Sequence, residues 1–457
     1  MRACVFLLFS LLVPSMLSTA SPVDPKEVQQ VLTDAVKNRY TVGIVVGIID
    51  ANGKNIYSCG KTASDGSEVD GDSVFEIGSV TKTFTATLLA DMVNRKLVSL
   101  DAPVVQFLPK GVKMPTRGGK EITLLDLATH CSGLPRMPGN FKPADPDNPY
   151  ADYSNENLFE FLSSCTLTRD IGASYEYSNL GAGLLGQALT RKAGKKSYEA
   201  LLIERIFGPL DMKSSGIMLR PAMSARLARG HSPLLAPVKN WDMDALAGCG
   251  AIRSTVNDLL NYVAAYMGLK DSPLAGALAM ARQELKDTET PNLRIGLAWH
   301  ILKLPDASIV WHNGGTAGYH SFVGFDEKKG LGIVVLSNSG NDIDGIGLHF
   351  LNSLVPLPKM EPRKERKEIT LEPAKLETFC GEYQLAPAFI LTISKEGHTL
   401  FGQASGQSRF VLHPEAETEF FLAEVDAQVS FVRDAAGKVT HLILHQGGQD
   451  VKGDKIK

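Results

Sequence analysis

A chain of 457 residues is too long for one ordinary domain, and its length favours two or three domains. The 44% hydrophobic and 21% charged residues are typical of a globular protein with a substantial core. The formal net charge of -3 gives no reason to expect nucleic acid or an anionic lipid surface as a partner. We therefore expect a small-molecule or peptide substrate.

The first twenty residues differ in composition from the rest. Arg2 supplies a positive charge, Val5 to Leu17 is almost entirely apolar, and Ser18-Thr19-Ala20 offers small residues for cleavage. This pattern predicts a signal peptide at residues 1–20, with an uncleaved anchor as the alternative. No later segment has the apolar length of a membrane span. We expect a mature protein that is secreted or periplasmic, without stable membrane insertion.

Five cysteines follow the predicted signal peptide, and their spacing does not suggest a disulfide framework. None forms a CxxC pair or a His/Cys cluster with zinc-ligand spacing. We expect mostly buried thiols, with one isolated disulfide left open, and no metal site. These cysteines are Cys59, Cys131, Cys165, Cys249 and Cys380.

The N-terminal part begins with a helical pattern at residues 26–40. Val42–Asp50 then predicts a strand, residues 51–54 predict a hairpin turn with Gly53 in the left-handed region, and Asn55–Cys59 predicts the partner strand. From Ser79 to about Lys96 a helical pattern follows, with Phe84, Leu88 and Met92 on one face.

Residues 101–290 mix helices with loops rich in proline and glycine, and strands return after them. Strands at both ends with helices between them predict an α+β fold, in which helices and a helical lobe flank an antiparallel sheet at residues 21–355. The four later strands are predicted at Trp299–Leu302, Ser308–Trp311, His320–Asp326 and Gly332–Asn338.

A charged stretch with prolines at residues 356–370 predicts a linker. Residues 371–457 then alternate in short strands separated by turn signals, which predicts a small all-β barrel or sandwich domain. Its strands are predicted at Phe389–Ser394, Thr399–Gln403, Phe410–His413, Phe420–Leu422, Val429–Arg433 and Val439–His445.

The first chemical motif is Ser79-Val80-Thr81-Lys82. At the start of a helix, positions i and i+3 share a face, so the ammonium approaches the hydroxyl. A desolvated lysine has a lowered pKa and can take the serine proton. Ser58-Cys59-Gly60-Lys61 has the same spacing, but it lies at a strand end with no helix to hold the two side chains together.

The second motif is Tyr177-Ser178-Asn179, before an apolar run that predicts a tightly packed helix. A phenol beside a lysine can relay protons, and a carboxamide can hold a substrate amide. A helix cap with a surface tyrosine explains the motif equally well. The similar residues 153–155 precede a helical pattern and are explained by N-capping alone.

The third motif is His312-Asn313-Gly314-Gly315, just after a predicted strand. A side chain on that strand could face the substrate, while the glycines let the backbone approach closely. A structural histidine is the alternative. His445 has the same spacing to Gly447 but lies in the C-terminal β domain.

In this order, the three motifs resemble those of the class C β-lactamase and penicillin-binding-protein superfamily. The resemblance covers about residues 30–340. The C-terminal module is similar to the small lipocalin-like domain of some members, mainly through residues 379–383. Further similar stretches are residues 75–85 around the serine, residues 125–135 (LDLATHCSGLP), residues 207–212, residues 250–259 and residues 312–322 (HNGGTAGYHSF).

The resemblance implies a serine hydrolase that forms an acyl-enzyme. Ser79 would be the acylated nucleophile, and Lys82 its general base or the group that sets the electrostatics for one. Tyr177 would pass protons during acylation and deacylation. No metal or organic cofactor is implied.

The resemblance also implies the substrate contacts. Asn179 would hold the substrate amide, and His312 would lie near the substrate carboxylate or the proton relay. Gly314 and Gly315 would approach the substrate, and the oxyanion hole would come from the backbone N–H groups of Ser79 and Gly315.

Histidine at position 312 departs from the lysine of many members and is largely neutral at pH 7. Members with this histidine resemble D-amino-acid peptidases and esterases more than efficient class C β-lactamases. D-aminoacyl peptides, β-lactams and small esters therefore all stay open as substrates. A non-catalytic penicillin- or peptide-binding protein is the alternative, and a homo-oligomer or an active-site cover built by the C-terminal domain stays open.

Overall fold

The computed structural model describes residues 23–362, 366–386, 389–405, 409–422, 427–446 and 449–457. The predicted signal peptide lies outside these residues. Among the described residues, no helix combines the length and the apolar character needed to cross a bilayer.

Up to residue 351, strands lie towards both ends of the chain and most helices lie between them. The α-helices are α1 (Pro25–Lys37), α2 (Thr81–Asn94), α3 (Leu124–Ala128), α4 (Asn155–Ser164), α5 (Asn179–Lys192), α6 (Tyr198–Leu202), α7 (Pro221–Ser224), α8 (Val256–Tyr266), α9 (Ala275–Ala281), α10 (Asp344–Leu351) and α11 (Pro373–Glu377). The strands before residue 351 are β1 (Gly43–Asp50), β2 (Gly53–Gly60), β3 (Phe75–Glu76), β4 (Thr116–Arg117), β5 (Lys120–Glu121), β6 (Arg253–Ser254), β7 (Lys286–Asp287), β8 (Leu293–Ile295), β9 (His300–Lys303), β10 (Ser308–Gly315), β11 (His320–Asp326) and β12 (Leu331–Ser337).

Eight of these strands form one antiparallel sheet in the order β2-β1-β12-β11-β10-β9-β8-β7. β1 pairs with β12, so strands from the two ends of the domain lie side by side within the sheet, with Val46 opposite Val335. The predicted α+β architecture is thereby confirmed. The glycine expected in the hairpin turn, Gly53, has a φ of 121°.

The sheet separates two cores, because successive side chains of a strand point to opposite faces. On β1, Val45 packs into the larger core with the helical lobe. Its neighbours Ile44 and Val46 pack into a smaller core, which also contains Leu32 of α1 and Phe350 of α10. This burial on both faces explains why the strand reads as a continuous apolar run rather than an alternating one.

α2 lies at the centre of the larger core. Phe84, Leu88 and Met92 are buried there as predicted, but every residue from Thr81 to Met92 is buried, including the threonines on the opposite side. Their hydroxyls are satisfied internally: Thr85 Oγ1 donates to the Gly248 carbonyl at 2.7 Å. Hydrogen bonding is what allows polar groups to be buried in this position, and a one-faced apolar pattern does not predict it.

The C-terminal strands close into a barrel in sequential order, β13 through β20. Six of the eight match the predicted strands, whereas β13 and β20 were not predicted because their residues are largely polar or exposed. α10 ends at Leu351 and β13 begins at Gly381, and the domain boundaries at 355/356 and 370/371 stay predictions. The barrel strands are β13 (Gly381–Ala386), β14 (Phe389–Glu396), β15 (Thr399–Ala404), β16 (Phe410–Pro414), β17 (Glu419–Phe421), β18 (Ala427–Arg433), β19 (Val439–Gln446) and β20 (Gln449–Lys455).

The five cysteines after the predicted signal peptide are free thiols. Cys131 and Cys249 are buried, whereas the other three are half-buried. The expectation of mostly buried thiols is therefore wrong for the larger part of the set.

Candidate active site around Ser79

Ser79 lies in a single 3-10 turn, Gly78–Val80, immediately before α2. The end of β10 passes directly over this turn. A Cβ atom on Gly314 would lie 2.0 Å from the Ile77 carbonyl oxygen and 2.8 Å from the Ser79 nitrogen. Only glycine permits this approach, which brings the backbone of Gly314 and Gly315 beside the serine.

Lys82 reaches Ser79 from one helical turn further along the chain. Its Nζ donates to Ser79 Oγ at 2.9 Å and to the carbonyl of Cys249 at 2.7 Å. The side chain is 1% exposed. Burial lowers the pKa of Lys82 to about 8, the neighbouring Cys249 thiol acts in the opposite direction, and the Arg136 charge lowers it further. The amine is therefore easier to deprotonate than an ordinary lysine.

Tyr177 is the third member of the group. Lys82 Nζ lies 4.7 Å from the centroid of its ring. Burial raises the pKa of the Tyr177 phenol, and the nearby Ser79 hydroxyl acts in the opposite direction. The phenol is therefore neutral at physiological pH and able to donate its proton.

Two contacts with His130 hold Tyr177 and the residue after it. The His130 ring lies 4.6 Å from the Tyr177 ring, centroid to centroid, and its Nδ1 accepts from the Ser178 backbone N–H at 3.1 Å. Ser178 also caps α5 by accepting from the Gly181 N–H. The helix-cap interpretation is therefore confirmed for Ser178, and it is compatible with a functional role for Tyr177, because the cap fixes the backbone that follows the tyrosine.

Asn179 is the first residue of α5. Its Nδ2 contacts Met137 Sδ at 3.6 Å, whereas its Oδ1 is buried and has no hydrogen-bond partner among the residues that the structure describes. An unpaired buried acceptor is costly and uncommon in proteins. This carboxamide oxygen is available to accept from the N–H of a bound amide.

His312 lies behind the pocket wall. It is 0% exposed, and its Nδ1 contacts the Asn313 carbonyl at 2.5 Å. Since a carbonyl only accepts, Nδ1 carries the proton and Nε2 is a lone-pair acceptor. Burial lowers the pKa of His312 well below its usual range, and the neighbouring His300 and Lys82 lower it further. Burial and neutrality both argue against contact with a substrate carboxylate. The other predicted role, a place near the proton relay, stays a prediction.

The motifs surround a cavity of about 570 Å³. Seven wall residues lie outside the three motifs and are not marked by spacing or local pattern in the sequence, among them Arg136, Trp241 and His300. Of the predicted residues, His312 and Lys82 lie beside the cavity rather than on its wall. The lining residues are Ser79, Arg136, Met137, Phe141, Pro149, Tyr150, Tyr177, Asn179, Trp241, His300, Asn313, Gly314 and Gly315.

The alternative motif copies lie elsewhere in the fold. Ser58 is on β2, paired with Val45, at the edge of the sheet. Ser154 caps α4 in a capping box with Asn157, as N-capping predicts. His445 lies in the barrel and contacts Asp450 at 2.7 Å.

Comparison with known proteins identifies the family of the chain. The family model described as Beta-lactamase matches residues 28–347, which is well over half of the chain. The chain belongs to the β-lactamase family. Residues 365–455 match a second model, described as a domain of unknown function, DUF3471.

Relatives of this β-lactamase-family chain include D-alanyl-D-alanine-carboxypeptidase/endopeptidase AmpH of Escherichia coli K12, with 29% identity over 64% of this chain and 78% of that protein. Penicillin-binding protein 4* of Bacillus subtilis is 26% identical over 84% of this chain and 88% of its own length. Among solved structures, a β-lactamase/D-alanine carboxypeptidase from Yersinia pestis has a TM-score of 0.63 at 24% identity, covering 74% of this chain and 100% of that one. The chain is accordingly a serine hydrolase of the β-lactamase family.

Proposed function

We propose that this member of the β-lactamase family is an exported hydrolase that forms an acyl-enzyme at Ser79 and cleaves D-aminoacyl peptides. The observation that carries the proposal is the 2.9 Å contact between Lys82 Nζ and Ser79 Oγ. Lys82 is buried and has no carboxylate partner among the described residues. A desolvated amine of this kind activates a serine without a histidine.

Acylation follows from the protonation states of the two neighbours. The neutral Lys82 amine takes the Ser79 proton as Oγ attacks the substrate carbonyl carbon. The backbone N–H groups of Ser79 and Gly315 stabilise the oxyanion that forms. Tyr177 then donates its phenol proton to the leaving amine and recovers one from the Lys82 ammonium, so the peptide bond breaks as the ester to Ser79 remains.

Deacylation runs through the same groups. Water gives a proton to the Lys82–Tyr177 pair as its oxygen attacks the ester carbonyl. The ester C–O bond then breaks, the proton returns to Ser79 Oγ, and the carboxylic acid leaves. The unpaired Asn179 Oδ1 supports this by accepting from the amide N–H of the acyl group, which holds the ester in one orientation.

Two observations support D-aminoacyl peptides as substrates. The relative AmpH is named a D-alanyl-D-alanine-carboxypeptidase/endopeptidase, and the neutral His312 replaces the permanent cation of many members. β-lactams are the second candidate, since another relative is named a penicillin-binding protein and the same acyl transfer opens the lactam ring. Small esters are the third candidate, because they can acylate Ser79 without any further binding site.

Export is supported by the composition of residues 1–20, which is that of a cleaved signal peptide. The location we propose is the periplasm or the cell exterior. Expression of the full chain, followed by N-terminal sequencing of the secreted or periplasmic fraction, tests it. A mature protein that still begins at Met1 would contradict cleavage.

Labelling with a fluorescent penicillin, followed by assays with D-alanyl peptides, nitrocefin and p-nitrophenyl esters, tests the chemistry. Ser79→Ala abolishes both labelling and turnover, whereas Ser58→Ala, which changes the unused serine motif, leaves both intact. Labelling of the Ser79→Ala variant would rule out the proposed nucleophile. Labelling of the wild type without turnover of any substrate would favour the non-catalytic binder.

A further inference from the structure

The wall of the Ser79 cavity carries an unusual balance of charge. Among its described residues, Arg136 alone is permanently charged, and none is an aspartate or glutamate. His300 is neutral, because burial lowers its pKa to about 4. Lys82 adds a second positive charge behind the wall below pH 8. The cavity is therefore positive, and this favours an anionic group in the ligand.

No acidic side chain in the described ranges pairs with Arg136 to cancel its charge. Within the described part of the chain, its guanidinium takes part in no ion pair and no side-chain hydrogen bond. The nearby Arg169, in contrast, pairs with Glu176 at 2.8 Å. A guanidinium offers five N–H donors in a planar fork that matches a carboxylate, and in Arg136 these donors are available.

The position of Arg136 is fixed at the reacting centre. Its backbone carbonyl accepts from the N–H groups of Asn179 and Leu180 at 3.0 and 3.2 Å. This ties it to the start of α5, where Asn179 also lies. Its guanidinium carbon is 5.1 Å from the centroid of the Tyr177 ring. The charge therefore lies one aromatic ring away from the serine.

Another part of the wall is aromatic. Tyr150 packs there against both Phe141 and Trp241, whose ring centroids lie 5.1 and 5.3 Å from its own. Aromatic faces favour apolar groups. The cavity thus combines an apolar surface, an amide acceptor at Asn179 and one unpaired cation.

We propose that Arg136 is the residue that selects substrates with a carboxylate close to the scissile bond, by a paired hydrogen bond from its guanidinium. This inference rests on the proposed function, because the carboxylate is that of a molecule acylating Ser79. His312 cannot supply this charge, since it is buried and neutral. The carboxylate lies either in the acyl half of the substrate or in the leaving group, and the chemistry of recognition is the same in both.

The test uses three matched acyl-D-alanyl thioesters and measures thiol release. One has a carboxylate in the leaving group, one has it in the acyl half, and the neutral parent has carboxamides at both places. Wild type prefers one carboxylate substrate over the parent, and Arg136→Ala lowers that preference about 10- to 100-fold, as expected for a charge-assisted hydrogen bond. The loss is expected in KM, because the contact forms equally in ground and transition states.

Two control variants separate recognition from general electrostatics. Arg136→Lys retains part of the preference, since it keeps the charge but loses the fork. Lys142→Gln removes an exposed cation from the same loop, outside the cavity wall, and leaves the preference unchanged. The substrate whose preference collapses in Arg136→Ala identifies the half that carries the carboxylate.

An unchanged carboxylate preference in Arg136→Ala would overturn the proposal, as would an equal loss of activity on the neutral parent. The proposed function has a separate test: it fails if the Ser79→Ala variant still hydrolyses the neutral thioester. In that case the carboxylate assignment fails with it. Because Arg136 is exposed, folding of the alanine variant is not at risk.

Discussion

At the scale of single residues, one physical cause divides the work between Lys82 and Tyr177. Burial disfavours the charged form of any group, so it lowers the pKa of an ammonium and raises that of a phenol. Lys82 is shifted to about 8, and the pKa of Tyr177 is raised. In the proposed mechanism the amine is thereby a usable base, while the phenol keeps its proton until a leaving group requires it.

The pKa of Lys82 predicts the pH dependence of acylation. In the proposed mechanism the neutral amine is the active form, and its fraction grows as pH rises. We therefore expect kcat/KM on a neutral p-nitrophenyl ester to increase about tenfold per pH unit below 8 and to level off above it. A pH–rate profile of kcat/KM measures this directly, because it reports the free enzyme.

The control for this profile is Lys82→Met, which removes the amine while keeping an unbranched side chain of similar length. It is expected to lower the rate by about 10²- to 10⁴-fold and to remove the rise toward pH 8. A wild-type profile that is already flat between pH 6 and 8 would show that another group is the base.

The phenol of Tyr177 is tested against a tyrosine that shares its sequence context. Tyr177→Phe removes the proton donor and is expected to lower kcat by about 10²- to 10⁴-fold, with little change in thermal stability. Tyr153→Phe removes a hydroxyl that donates to Asn140 at 2.9 Å. It is expected to cost about 0.5–1.5 kcal/mol of stability and to leave kcat unchanged. Equal kinetic effects in both variants would contradict the assignment.

The sequence alone distinguishes the Ser79 motif from the Ser58 motif of the same spacing, because the difference between them is local. A helix follows Ser79 and none follows Ser58, and this difference is visible in the residue pattern. Arg136 and His300 could not be found in the same way. Arg136 matters because no described acidic side chain pairs with it, and His300 matters because it is buried. Both properties depend on segments that are distant in the chain.

At the scale of elements, glycines on α5 set the position of the carbonyl that holds Lys82. A Cβ atom on Gly183 would lie 2.9 Å from the Cα of Leu246, and one on Gly186 would lie 3.0 Å from the Cα of Gly248. These contacts let the helix pack against the 3-10 turn Ala247–Cys249. The Cys249 carbonyl, in turn, accepts from Lys82.

Gly183→Ala is therefore expected to affect both stability and rate. The new methyl group meets backbone, which moves only at a cost, so the free energy of unfolding falls by about 1–3 kcal/mol. The displaced turn also weakens the Lys82 contact and lowers kcat/KM. Chemical denaturation and ester hydrolysis measure the two effects.

Gly276→Ala in α9 is the matched control for Gly183→Ala. The nearest atom to its new Cβ is the side-chain amide nitrogen of Asn94 at 2.9 Å, which can rotate away. Helix propensity then favours alanine by about 0.5–1 kcal/mol, and activity is unaffected. Wild-type stability and activity in Gly183→Ala would show that the packing of α5 is looser than the structure indicates.

The elements that were predicted from sequence are those with their own local pattern. β1, β2 and β9 to β12 lie within a few residues of their predicted bounds, except that β10 extends four residues further, through His312 to Gly315. Its last residues are glycines and polar side chains, and only pairing with β11 keeps them extended. β20 is likewise a strand because of its pairing. Its exposed residues show no alternation of apolar and polar side chains, and closure of the barrel provides the strands with which it pairs.

At the scale of the whole molecule, the chain builds separate cores. The barrel core contains Phe379, Tyr383, Phe420 and Phe431 and is made only of residues after 370. Among the described residues, every ion pair of the segment 366–457 has both partners within that segment. Each part can therefore form its core without contributions from the other, which is the physical condition for independent folding.

Independent cores predict two unfolding transitions that separate probes distinguish. All three tryptophans, Trp241, Trp299 and Trp311, lie before residue 351, so their fluorescence reports only the hydrolase part, whereas far-UV circular dichroism reports both parts. Phe379→Ala, which opens a cavity in the barrel core, is expected to destabilise the barrel by about 3–5 kcal/mol and to leave the fluorescence midpoint unchanged.

Acylation of Ser79 by a penicillin should do the opposite, raising the fluorescence midpoint alone, since a ligand stabilises only the state that holds it. An equal shift of the tryptophan transition in Phe379→Ala would show that the two parts unfold as one cooperative unit.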